Sequence, residues 1–285
     1  MKRVLRWIGI GLAGLVGLLI IAYAVAHILS ERVLRQTYAI PKVSISIPKD
    51  PESVAEGKRL ATIRSCFNGC HGKESQGVVM VDELMIGRVV APNLTTAVRK
   101  YSDAELVNII RNGVRPDGRS LVIMPSEVFI HLNDEDLGRI LAFLKSLPEA
   151  AGPAPSVSLG PLGRAGLAAG KFQLAAQLIA DVASPPDATG EEAARGRYLA
   201  RSTCSGCHGA ALRGSSVPEE SPDLRVVAAY SPEAFTQLMR TGVPIGGRKL
   251  GMMGAVARDN LASLTDAEIA ALYAYLHTLP APAGK

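Results

Sequence analysis

Cys204-Ser205-Gly206-Cys207-His208 is the stretch on which the fold turns, and Cys66-Phe67-Asn68-Gly69-Cys70-His71 repeats it with one residue more. Both run on into glycine, Gly72 and Gly209. Both also follow a similar approach, Gly57-Lys58-Arg59-Leu60-Ala61 and Gly196-Arg197-Tyr198-Leu199-Ala200. Downstream, Tyr101–Met124 aligns without gaps on Tyr230–Met253 at a constant offset of 129, with nine of 24 positions identical. A third block pairs Asn133–Pro148 with Thr265–Pro280. The same special residues recurring in the same order mark a duplicated unit.

Each copy reads as helical. Ser102 with Glu105 and Thr265 with Glu268 have capping-box spacing, and Ser231-Pro232 places an N-cap before a proline at the first helical position. Leu106, Ile109 and Ile110 recur at helical spacing, as do Leu137, Ile140, Leu141 and Leu144, and Ile269, Leu272, Tyr273 and Leu276. The fold class expected is all-α: an N-terminal membrane helix over 1–35, one helical domain over 50–150 and a second over 190–285. The linker, 151–189, has Ala-, Gly- and Pro-rich ends, the second of them Ser184-Pro185-Pro186. Its apolar middle, Leu162 to Val182, reads as a short amphipathic helix packed on the domains or lying on the membrane.

From Trp7 to Ser30 there is no Asp, Glu, Lys or Arg. Ile8 to Ile28 alone covers about 30 Å at about 1.5 Å rise per residue, enough to cross a hydrocarbon core. Lys2, Arg3 and Arg6 precede the run, so the positive-inside rule leaves the N-terminus in the cytoplasm and the domains across the membrane. The alternative is a cleaved signal peptide with Ala24-Val25-Ala26 as its small-residue site; the length of the apolar run favours a retained anchor. The net charge of +5 in 285 residues is concentrated here. Five basic residues against Glu31 give +4 over 1–35, which leaves about +1 for the rest. A basic nucleic-acid surface is therefore not implied. Aromatics are only 5% of the chain, and a core short of large rings leaves room for a bound cofactor.

In an oxidising compartment a Cys-x-x-Cys-His run reads as covalent haem attachment: two thiols add across the vinyl groups, and the following imidazole ligates the iron. On a helix, positions i, i+3 and i+4 share one face, which Cys204, Cys207 and His208 satisfy. The alternatives are structural zinc, which needs four protein ligands where each copy offers three, and a redox dithiol, which needs a strand–helix setting. Cys66 and Cys70 are four apart, so a regular helix would rotate Cys66 relative to Cys70 and His71. Asn68-Gly69, both tolerant of left-handed backbone, are expected to supply a bulge.

These motifs resemble the class I c-type cytochromes, in the membrane-anchored dihaem form that serves respiratory chains and periplasmic dehydrogenases. The resemblance covers about residues 52–150 and 190–283. It implies two small helical domains in tandem and two covalently attached haem c groups, through Cys66, Cys70, Cys204 and Cys207, with His71 and His208 on iron. It also implies a methionine as sixth ligand: Met124, followed by Pro125, matches the pattern. In the second copy Met252 and Met253 compete; the alignment selects Met253, although Gly254 replaces the expected proline. Pro92 and Pro222 match the segment whose carbonyl accepts the proximal His N–H. Arg119 and Arg248 are candidates for haem propionates, or are solvated loop arginines. His131 and His277 read as surface or core residues, with a distal His131 as the alternative.

Iron closed by His and Met has no open site and transfers electrons with little rearrangement. The function expected is therefore electron transfer at the periplasmic face of a bacterial inner membrane, as a respiratory-chain or dehydrogenase-complex subunit. The partners expected are the membrane and redox proteins: a dehydrogenase, an oxidase or a soluble cytochrome. The competing reading is a dihaem enzyme of peroxidase or thiosulfate dehydrogenase type with one reactive iron.

Overall fold

The computed structural model describes residues 2–180, 182, 190–216 and 220–279. The Ser184-Pro185-Pro186 end of the expected linker and the chain from Pro280 onward lie outside them. Helix α1 (Lys2–Arg35) is one uninterrupted helix of 34 residues with an exposed apolar surface. Its length of about 51 Å exceeds a hydrocarbon core of about 30 Å, so its ends extend past the apolar span.

The first unit contains α2 (Pro51–Ile63), a π-helical turn at Cys66–Cys70, β1 (Val78–Glu83), β2 (Gly87–Ala91), α3 (Leu94–Lys100) and α4 (Asp103–Asn112). It continues through α5 (Ser126–Phe129), α6 (Asp134–Ser146), β3 (Val157–Leu159), α7 (Pro161–Ala168) and α8 (Ala175–Ala180). The second comprises α9 (Glu191–Leu199), a π-helical turn at Ala200–Cys204, α10 (Ser205–His208) and a 3₁₀ turn at Leu224–Ala229. It ends with α11 (Pro232–Thr241), α12 (Met252–Asp259) and α13 (Asp266–His277).

Local sequence explains the boundaries. Both expected capping boxes form, at Ser102/Glu105 and Thr265/Glu268, and the Ser231 hydroxyl accepts from the Ala234 N–H. Gly113 and Gly242 end α4 and α11 in left-handed conformation, which costs glycine little. In each unit the first helix crosses a late one, α2 on α6 and α9 on α13. A glycine makes each crossing possible. A Cβ on Gly57 would lie 1.9 Å from the Arg139 carbonyl oxygen, and one on Gly196 1.9 Å from that of Ala271. The duplicated arginines also do one job: Arg111 pairs with Asp134 at 2.7 Å and Arg240 with Asp266 at 2.6 Å, each tying a middle helix to the first residue of the last.

The chain is predominantly helical, with one addition that helical periodicity did not announce. Strands β1, β2 and β3 form an antiparallel sheet in that order, pairing Val78 with Ala91, Glu83 with Gly87 and Val89 with Val157. The β-branched run Val78, Val79, Val81, Val89 and Val90 suits a pleated surface. Because β3 comes from within 151–189, the first part of that stretch is built onto the first unit. Its apolar middle is two short helices, α7 and α8, rather than one. Helix α7 packs on the outer end of α1, where Arg164 donates to the Ser30 hydroxyl and the Glu31 carboxylate, both at 3.1 Å.

The two units share a seam made largely by α2. Ile63, at its end, is buried in the core of the second unit. The fully buried Arg64 side chain reaches the Asp136 carboxylate at 3.3 Å and the Ser202 hydroxyl at 3.3 Å, while Tyr198 donates to Asp136 at 2.5 Å. Arg59 crosses to Glu268 at 2.7 Å, and the Asn260 amide donates to the Thr62 carbonyl at 2.7 Å.

Candidate haem-binding sites

The extra residue between Cys66 and Cys70 is absorbed by helix type. The Cys70 N–H donates to the Ser65 carbonyl at 3.3 Å, an i→i+5 bond that widens the turn by one residue. Both thiols thereby stay on one side of the turn. The left-handed residue is Ser65, at φ 56°, and Gly69 is not left-handed, so the extra residue is taken up by the π-turn rather than by a left-handed glycine. The second unit has its own π-turn immediately upstream, ending at Cys204.

Beyond each histidine the backbone follows one path in both units. Gly72 and Gly209, one residue on, have φ 81° and 75°. Ser75 and Leu212, four on, have φ 60° and 59°. Gly77 and Gly214, six on, have φ 85° and 93°, and their N–H groups donate to the His71 and His208 carbonyls at 2.8 and 2.9 Å. A Cβ on Gly77 would stand 2.6 Å from the Ala91 oxygen, and one on Gly214 2.6 Å from the Ser221 oxygen. These glycines let the histidine loop lie directly against the proline segment.

That contact fixes the imidazoles. The Nδ1–H of His71 donates to the Pro92 carbonyl at 2.8 Å, and the Nδ1–H of His208 to the Pro222 carbonyl at 2.8 Å. A carbonyl only accepts, so the proton sits on Nδ1 and Nε2 keeps its lone pair. Burial pushes both imidazoles below their ordinary pKa, against the raising effect of the proline bond, so they are neutral at pH 7. Burial also pushes the Cys66 thiol up to about 11 and the Cys204 thiol up to about 12. All four cysteines are half-buried. Among the described residues no group of three or more His, Cys, Asp or Glu is placed to hold a metal ion.

The second unit has a cavity of about 330 Å³ lined by Cys204, Cys207, His208 and Pro222, with both Met252 and Met253 on its wall. Met253 is half-buried against the core, whereas Met252 is 45% exposed. Met124 is likewise half-buried against the first core, on which Cys66 also packs. The two methionines differ in backbone. Pro125 disfavours helix at the residue before it, so Met124 stays outside α5. With Gly254 in that place, α12 begins at Met252 and includes Met253. The donor set therefore fits a covalently held haem in each unit: two thiols, a neutral imidazole with Nε2 unencumbered, and a thioether within the same apolar core.

Other expected residues divide. Arg248 lines the second cavity. Arg119 is held on the surface by Asp117 at 2.8 Å, beside the exit of α1, where Thr37 pairs with it. Burial, then the charges of Arg201 and Arg197 of the second unit, push the His131 pKa down to about 4. His277 stacks on Tyr273, with ring centres 4.6 Å apart. Sequence reasoning missed Arg59, Arg64 and Tyr198, whose partners are remote in the chain; Tyr198 lies inside the duplicated block but carries no sign of its role.

Comparison with known proteins agrees with this geometry. Residues 193–280 match the Cytochrome c family, and residues 52–144 match the family described as Cytochrome C oxidase, cbb3-type, subunit III. The chain is 25% identical over 262 residues to the fructose dehydrogenase cytochrome subunit of Gluconobacter japonicus, covering 81% of this chain and 53% of that protein. It is 25% identical over 263 residues to the alcohol dehydrogenase (quinone) cytochrome c subunit of Gluconacetobacter polyoxogenes, covering 78% and 54%. The same figures hold for the corresponding subunit of Komagataeibacter europaeus. The chain thus spans about half the length of the curated relatives it matches. Its two units are both cytochrome c domains, and behind its apolar N-terminal helix the chain belongs to the c-type cytochromes, whose haem is bound covalently.

Proposed function

We propose that this chain carries one haem c in each unit and passes electrons between a dehydrogenase and a further acceptor at the outer face of the inner membrane, held there by α1. The observation that carries the reading is the duplicated neutral imidazole, fixed by a proline carbonyl at 2.8 Å in each unit with Nε2 left for iron. Haem supplies the reversible one-electron couple. The chain's residues do the rest. Cys66, Cys70, Cys204 and Cys207 form the thioethers; Pro92 and Pro222 orient the rings and raise their basicity. Met124 and Met253 would hold the iron together with the histidines and keep water and substrate from it. Arg248 stands at the second cavity as the propionate partner; Arg119 takes that role in the first unit only by leaving Asp117. The dehydrogenase partner is supported by the cytochrome subunits the chain resembles, and the outward orientation by Lys2, Arg3 and Arg6 ahead of the span.

The test is haem quantitation with redox titration followed by optical and spin-resonance spectra. The reading expects two covalent haems per chain, both low-spin, with a Met-to-iron charge-transfer band from each. Free thiols by mass analysis, or one high-spin iron, would overturn it, the latter in favour of a dihaem enzyme.

A further inference from the structure

We infer that the β1–β2 hairpin of the first unit is a second membrane contact, its tip Leu84-Met85-Ile86 entering the lipid interface beside the anchor together with Leu162. The inference rests on α1 spanning the membrane. The segment between histidine and proline is seven residues longer in the first unit: Pro92 lies 21 positions after His71, and Pro222 14 after His208. Those additional seven residues end in an apolar turn open to solvent, with Leu84 91%, Met85 47%, Ile86 52% and Leu162 58% exposed. Apolar residues grouped in this way at the tip of an insertion mark a contact surface.

The tip's surroundings identify that surface as lipid. The Met85 carbonyl accepts from the Leu162 N–H at 2.8 Å, and the Ile86 carbonyl from the Gly160 N–H at 2.9 Å, so the tip is fixed to the start of α7. Two residues further on, Arg164 grips Ser30 and Glu31 at the end of the apolar run of α1. The far end of α7 leads away from the membrane: Ala175 donates to the Leu121 carbonyl, close to Arg119, which pairs with Thr37 past the end of α1. The start of α7 and the hairpin tip therefore lie on the membrane side, where Ala26 and His27 of the anchor are half-covered. Arg88, paired with Asp82 on the hairpin, and Arg32 and Arg35 on the anchor place charge at headgroup level flanking the apolar tip.

The full haem-loaded chain is reconstituted into phosphatidylcholine–phosphatidylglycerol vesicles containing a phosphatidylcholine with a photoreactive diazirine high in one acyl chain. Adducts are mapped by mass spectrometry. The inference expects lipid adducts on the anchor and, severalfold above helix α11, on the peptides holding 84–86 and 162. In the Leu84→Asp/Met85→Asp variant, adducts at Leu162 should fall severalfold while those on the anchor stay. Adducts on the anchor alone overturn the inference and leave the anchor intact. Adducts on neither overturn both. A hairpin free of adducts that becomes protected only when a dehydrogenase is added overturns it in favour of protein docking.

Discussion

Arg59 and Glu268, 209 residues apart in the chain, meet with N···O 2.7 Å across the seam between the two cytochrome c domains. Glu268 is 2% exposed and serves at once as the capping-box acid of α13 and as the anion for Arg59 and Arg195. Removing one member of such a buried pair strands the other. Arg59→Ala is expected to destabilise the protein by about 1–3 kcal/mol, softened by Arg195. Denaturant unfolding followed by far-UV circular dichroism checks it, and an unchanged midpoint would place the seam's strength elsewhere.

The same pair predicts a pH dependence. Burial works to raise the Glu268 pKa, but the bonds from Arg59 and the Thr265 N–H, with the Arg195 charge, outweigh it and hold the carboxyl below its ordinary value. A depressed folded pKa gives stability that is complete above the unfolded value and is lost as pH falls through the folded one. The stability gap between wild type and Glu268→Gln should therefore be full at neutral pH, begin to shrink near the ordinary glutamate pKa of about 4.3 and close below it. A gap independent of pH would show that Glu268 acts by shape rather than charge.

Gly57 and Gly196 are expected to tolerate no side chain. Either alanine variant drives a Cβ into backbone carbonyl at 1.9 Å, so α2 must move from α6, or α9 from α13. The expected cost is about 2–4 kcal/mol, in the range of overpacking with backbone shifts. The haem content of the affected unit should fall with it. Thermal melts and haem-stained gels measure both, and full haem loading with an unshifted melt contradicts the close crossing.

The methionines make a three-way comparison. Met124→Ala and Met253→Ala should each open one iron to carbon monoxide and remove its charge-transfer band, whereas Met252→Ala, at a 45% exposed position, should do neither. Carbon monoxide binding to the reduced protein reads the result. A response to Met252→Ala instead would transfer the sixth ligand to that residue.

Deleting Asn68 restores the spacing Cys-x-x-Cys-His and removes the residue that the i→i+5 turn accommodates. Covalent attachment in the first unit should survive, with its haem spectrum closer to that of the second. Loss of attachment would mean that the wide turn itself, and not only the co-facial thiols, is required.

Much of the site could be read from the chain because its chemistry is local. Thiol spacing, the following histidine, capping boxes at 102–105 and 265–268, and the glycine after each histidine all depend on residues within a few positions of one another. Ser75 and Leu212 show where that ends: unlike in chemistry, they occupy the same left-handed position because the loop, not the side chain, dictates φ. The sheet escaped notice because its third strand comes from a stretch with linker composition. The bulge was assigned to Asn68-Gly69 on left-handed tolerance, whereas the backbone solved the same problem by widening a helical turn. Arg64 gave no sign at all, since its partners Asp136, Tyr198 and Ser202 lie 72 to 138 residues away.

One helix belongs to two hydrophobic interiors: α2 lays Leu60 and Ala61 into the first and Ile63 into the second. The duplicated halves are therefore no longer interchangeable cassettes. Loss of order in either one is felt by the other along a single stretch of thirteen residues, and the pair should mature and fail as one cooperative body.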